Sequence, residues 1–181
     1  MDEVFRLRYL CCHAKGAIAA RADQRFHDPY DELANQFSFL LRVEDTAGSV
    51  WIRLVWPKRG WLEAPSATVF GDHAGFRGIA AGSYVAVSRL CFLTEARSDV
   101  LYRLVMNLMA LAEYHQAEWV VACPREEHAL FYERMVGFRL IGKPRTCCGV
   151  NFRTALLAVS LAKIRETADR VRLGGRRGSR C

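Results

Sequence analysis

The 181-residue chain is long enough for one domain with a substantial core, and its 51% hydrophobic and 25% charged content excludes a disordered or fibrous protein. No apolar run approaches the about 18 residues that a membrane-spanning helix needs, and the start, Met1-Asp2-Glu3, lacks the basic and then apolar stretches of a secretory leader. The formal charge is +7, but seven Lys/Arg against Glu166 and Asp169 beyond residue 162 account for +5 of it, so basicity marks the end of the chain and not a nucleic-acid-binding face.

In chain order, residues 2–22 predict one helix, with Val4, Leu7, Cys11, Ala14 and Ile18 at helical spacing. Residues 23–36 are polar and turn-rich, and Pro29 disfavours helix at Asp28. Phe37 to Val43 and Ser49 to Trp56 are apolar, β-branched and aromatic runs separated by Glu44 to Gly48, the pattern of a hairpin. Arg53 interrupts the second run, either as an edge residue with its stem along the sheet or as a bidentate anchor for a carboxylate. Residues 57–83 contain Pro57, Gly60, Pro65, Gly71, Gly75, Gly78 and Gly82 and predict a long loop or a set of short helical pieces. Trp61, Phe70 and Phe76 in it either line an apolar channel or pin the segment down.

The centre of the chain is 84–138. The run from Tyr84 to Leu93 predicts a strand and 118–123 a second. Between them Leu101, Leu104, Val105, Leu108, Leu111 and Ala112 share one helical face, after an N-cap at Ser98 or Asp99. Two nearly continuous apolar strands joined by a helix form a βαβ unit with parallel strands covered on both faces. A helix then closes on Gly137-Phe138. Two antiparallel strands follow, 139–142 and 152–161, with a loop at Pro144, and then a basic helix over 162–173 before Gly174-Gly175. The seven cysteines include the adjacent pairs Cys11-Cys12 and Cys147-Cys148. Neither pair suits zinc-ligand spacing or a disulfide within the pair, so reduced thiols, no metal site and a cytoplasmic location are expected.

Ser88-Arg89-Leu90, followed by His128-Ala129-Leu130-Phe131-Tyr132 and Gly137-Phe138, resembles motifs of the N-acyl amino acid synthases of the FeeM type. These belong to the Gcn5-related N-acyltransferase (GNAT) superfamily and are cousins of the acyl-homoserine-lactone (autoinducer) synthases. The resemblance extends over roughly residues 5–162. It implies an α/β fold with a mixed central sheet flanked by helices, over 1–162, with 163–181 as a basic helix and tail. Family members have a strand before the first helix, and this chain starts after it.

The implied activity is transfer of a long-chain acyl group from an acyl carrier protein to the amine of an amino acid. The phosphopantetheine-linked thioester is then a co-substrate, with no tightly bound cofactor. An acetyl-CoA-dependent N-acetyltransferase and a catalytically silent binding protein of the same fold are the alternatives. The resemblance further implies Arg8, Asp28, Asp31 and Arg53 around the acceptor, with the two carboxylates holding its ammonium. Val87 and Leu90 would lie beside the donor thioester, Ser88 and Arg89 at the reacting centre, and Tyr132 at the sulfur. Arg97 and Arg103, with Arg125, Lys143 and Arg145, form a candidate patch for the carrier's phosphate. Where the family carries a glutamate two positions before the Ser-Arg pair this chain has Ala86, leaving Glu95, Asp72 or a water held by Ser88 as general base. The turn 95–99 also lacks the glycine-rich loop that cradles the pyrophosphate of coenzyme A.

Overall fold

The computed structural model describes residues 2–32, 36–42, 49–57, 64–92, 98–146 and 150–177. The apolar runs become six strands: β1 (Gln36–Arg42), β2 (Ser49–Val55), β3 (Tyr84–Phe92), β4 (Trp119–Ala122), β5 (Arg139–Thr146) and β6 (Arg153–Ser160). They form one sheet in the order β1-β2-β3-β4-β6-β5. β3 and β4 run parallel, joined by the helix α4 (Ser98–Tyr114, numbered here in chain order), and the other neighbours are antiparallel. The βαβ unit read from the sequence is therefore the middle of the sheet.

Alternation along β3 explains the two-layer core. Val85 and Val87 face one way, onto Leu104, Leu108 and Ala112 of α4 and Ile164 of α6 (Leu161–Arg177). Tyr84 and Ala86 face the other way, onto α2 (Pro65–Phe70) and α3 (Ala74–Ala80). Apolar residues at period two on the strand and period 3.6 on the helix meet across each interface. Phe70 and Phe76 are fully buried beneath α2 and α3, so they pin this segment to the sheet. Trp61 lies outside the described residues.

Three elements differ from the sequence reading. The first helix, α1, spans Asp2–Ala14 and not 2–22, because Gly16 takes the left-handed conformation at φ 62°. The Ala17 and Gly16 N–H groups donate to the Cys12 and His13 carbonyls at 2.8 and 2.9 Å, which closes the helix. β5 continues through Pro144 to Thr146, where a loop was expected. It is the outer strand of its side, with register shifts at 140/142 and 142/145, and a proline without an N–H is tolerated there. α6 runs on through Gly174-Gly175 to Arg177, since glycine lowers helix propensity without forbidding it. Among the described residues no helix is long and apolar enough to cross a membrane.

Candidate active site

Unequal strand lengths open a cleft. β3 pairs with β4 from Tyr84↔Trp119 to Val87↔Ala122. There β4 ends and the chain turns through Pro124, while β3 continues to Phe92. Just past the fork β3 takes in an extra residue. Ser88 pairs with Arg53 but Cys91 with Trp51, leaving Arg89 and Leu90 opposite Ile52. Arg89 adopts φ 57° in this bulge, a left-handed conformation that costs a side-chain-bearing residue roughly 1–2 kcal/mol and re-aims the strand. The gap is a cleft of about 160 Å³ whose walls include Cys12, Ser88, Arg89, Arg125, His128 and Tyr132.

A second cavity of about 150 Å³ adjoins the first across Val87, Leu90 and Tyr132, which wall both. Its lining is apolar: Ile52 of β2, Leu104 and Leu108 of α4, Phe138, and Ile164 and Ala168 of α6. Tyr132 lies on α5 (Ala129–Val136), which ends at Gly137 with φ 85°. Edge contacts with Phe131 and Phe138 at 5.5 and 5.9 Å hold its ring. Burial, with a smaller effect from Cys91, raises its phenol well above the ordinary range, so it stays protonated.

Under the bulge runs an alternating chain of charges. Arg8 of α1 grips both oxygens of Asp31. Arg53 donates to Asp31 at 2.9 Å and to Asp28 at 2.5 and 3.1 Å, while its Nε reaches Ser88 Oγ at 3.0 Å. Arg89 donates to Asp28 from Nε and an Nη at 3.0 and 2.8 Å and stacks over Phe26. The Asp28 N–H donates to Asp31 at 2.9 Å, and the Tyr30 N–H to Asp28 at 3.0 Å. Arg8 and Arg53 are fully buried, whereas the Arg89 side chain is 21% exposed and borders the cleft.

Burial works against both carboxylates, yet the Arg53 hydrogen bond and the charges of Arg53 and Arg89 hold Asp28 down at about 2. Arg8 likewise holds Asp31 below its usual value against burial. A carboxyl depressed in the folded state adds stability above its unfolded value of about 3.9, and loses it as pH falls through the folded one. Urea unfolding is therefore expected to show Asp28's share, about 2 kcal/mol, disappearing between about pH 4 and pH 2. An Asp28→Asn protein should lose less over the same interval.

The structure thus gathers Arg8, Asp28, Asp31, Arg53, Ser88 and Arg89 into one network. Arg53 sits between β1 and β3 and is not an edge residue. The oxygens of Asp28 and Asp31 are engaged by arginines and backbone N–H groups, where the resemblance implied an ammonium. Asp72 is paired with Arg145 and lies outside the cleft lining. Arg125 reaches the cleft wall, while Arg103 is an exposed residue of α4 and borders neither cavity. Arg97 and Glu95 fall outside the described residues. The sequence reading did not anticipate the four cysteines that line the cleft, Cys11, Cys12, Cys91 and Cys123. The signal was available as two thiols on one helix turn and one in the strand of the Ser-Arg motif.

A family model described as the N-acyl amino acid synthase FeeM matches residues 3–160. Among solved structures, FeeM, an N-acyl amino acid synthase from uncultured soil microbes, aligns with a TM-score of 0.72 at 16% identity, over 92% of this chain and 93% of that one. The CoA-dependent acyl-homoserine lactone synthase BjaI, with SAM and isopentyl-CoA, gives 0.59 at 17% identity over 94% and 81%. An acyl-CoA N-acyltransferase from Pseudomonas aeruginosa gives 0.52 at 13% over 86% of each chain. At these identities the alignments speak for a shared fold, that of the acyl-CoA N-acyltransferases. No curated protein matches the chain.

Proposed function

The chain belongs to the FeeM family of N-acyl amino acid synthases and is accordingly an N-acyltransferase, and we propose that it moves a long-chain acyl group from an acyl carrier protein to the amino group of an amino acid. The observation that carries this reading is the apolar cavity that shares Val87, Leu90 and Tyr132 with the cleft. Each methylene moved out of water contributes about 0.8 kcal/mol, so a fatty chain seated there gains several kcal/mol over an acetyl group. With the tail between α4, α5 and α6, the thioester carbonyl lies at the bulge, where backbone N–H groups of Val87 to Leu90 stabilise the oxyanion. Tyr132 donates to the departing sulfur.

Acceptor binding follows from the charge chain. Three arginines against two aspartates leave one net positive charge, and Arg89 is the member at the cleft. Its guanidinium pairs with the acceptor carboxylate, and the buried partners fix its aim. His128, in the cleft wall, is held neutral by burial and by the charges of Lys15 and Arg125, so it can take the ammonium proton through a water. Lys15 and Arg125 on the same wall suit the phosphate of a carrier arm. A carrier also needs no pyrophosphate cradle.

Lipid extracts from cells overproducing the protein should contain new N-acyl amino acids by mass spectrometry, strongly depleted in a Tyr132→Phe control. Purified protein given acyl-carrier and acyl-CoA donors of equal chain length should prefer the carrier. Acetyl transfer as fast as long-chain transfer would remove the reading. Filling the cavity gives a sharper check. Ala168→Phe should lower turnover of a long-chain donor roughly tenfold relative to a short-chain one, at a cost of about 1–3 kcal/mol in stability. An unchanged chain-length profile would place the tail elsewhere.

A further inference from the structure

Acyl transfer as described leaves the thiols of the cleft without a part. Cys11 and Cys12 reach it from the last turn of α1, Cys91 from β3 just past the bulge, and Cys123 from beyond the end of β4. Cys91 is buried and hydrogen-bonded to both Cys11 and Cys12, while Cys12 is half-buried and borders the cleft. No group of three or more potential ligands among the described residues is arranged to hold a metal ion. We propose that Cys12 is a nucleophile that accepts the acyl group from the donor thioester, so that transfer to the amine runs through an S-acyl cysteine. The proposal rests on the acyl-donor reading of the cleft.

The chemistry balances with the groups present. The Cys12 thiolate attacks the thioester carbonyl. A new C–S bond forms, the donor's C–S bond breaks, and the electron pair leaves on the pantetheine sulfur, which takes a proton from solvent. One thioester replaces another, so the step is nearly thermoneutral. The amine nitrogen then attacks the S-acyl carbonyl, an amide bond forms, and the Cys12 thiolate is returned as the nitrogen's proton passes to His128 and water.

The surroundings favour the thiolate. The Cys91 hydrogen bond comes first, and the charges of Arg89, Arg8 and Lys15 add to it against burial, holding Cys12 down at about 7. Its hydrogen bonds to Cys11 and Cys12, with burial, push Cys91 well above its ordinary value, so it remains a donor toward Cys12.

The test uses reduced, full-length protein incubated without amine, with palmitoyl-CoA and separately with palmitoyl-acyl carrier protein, followed by intact mass and peptide mapping. Expected are one added acyl group on Cys12, labile to neutral hydroxylamine, and a burst of one donor thiol per protein. Adding an amino acid acceptor should discharge the adduct as amide. Cys12→Ser should abolish adduct and burst and lower kcat roughly tenfold or more, whereas Cys123→Ser should keep both. Wild-type protein that makes amide with no adduct and no burst, or an adduct on another cysteine, overturns the proposal and leaves the N-acyltransferase reading standing. An adduct on Cys12 that no amino acid discharges as amide overturns the proposal too, because the S-acyl group is then not an intermediate. No adduct with either donor overturns the proposal outright.

Discussion

Arg53→Met is expected to destabilise the protein by about 3–5 kcal/mol, because Asp28 and Asp31 lose charge-assisted hydrogen bonds in the interior and keep only Arg89 and Arg8 as ion-pair partners. Arg53 is fully buried on β2 and is the hub of the network, bonded to Asp28, Asp31 and Ser88 together. Methionine fills much of the same volume, so the loss measures broken ion pairing and not a cavity. Urea unfolding at pH 7 should show a lower midpoint at unchanged m. Arg89→Met, at a partly exposed site with Asp28 as its ion-pair partner, should cost less. Equal losses at the two positions, or less than about 1 kcal/mol at Arg53, would mean that solvent reaches the whole chain of charges.

Tyr132→Phe should lower kcat on the order of 100-fold while changing stability by no more than about 1 kcal/mol. The ring keeps its packing against Phe131 and Phe138 in the variant, so only the hydroxyl is lost. The raised phenol restricts what that hydroxyl does. A thiol titrates near 8.5, so complete proton transfer from a phenol held above 10 runs uphill. Tyr132 therefore donates a hydrogen bond to the developing thiolate and keeps its proton. KM for the donor should hardly move, because the bond strengthens only as the C–S bond breaks. Turnover within twofold of wild type would discard the role.

The sheet was legible wherever burial writes itself into composition. Val85, Val87 and Val120 on one face and Ala86 and Val121 on the other make both parallel strands apolar on both faces, and α4 carries its stripe at regular spacing. Local backbone states were less visible. Gly16 stops α1 because glycine accepts a positive φ, which the apolar period over residues 2–22 does not register. Arg89 gives no such hint, since its φ of 57° is imposed by the register of β2 against β3 and arginine has no preference for it. The family likeness collected Arg8, Asp28, Asp31 and Arg53 but could not say that they bind one another. That depends on α1, a turn and the interior of β2 converging across about 45 residues, which spacing along the chain does not encode. The thiol cluster was hidden in the same way, with Cys12 and Cys91 on elements that meet only in the fold.

The broken register and Pro144 of β5 also bear on how the molecule behaves when crowded. A strand from a neighbouring copy that lay along this margin would meet an interrupted ladder, one missing donor, and the charge of Lys143. Fibrous stacking cannot propagate smoothly from that side. The flank that finishes the sheet is thereby also a guard against self-templated polymerisation.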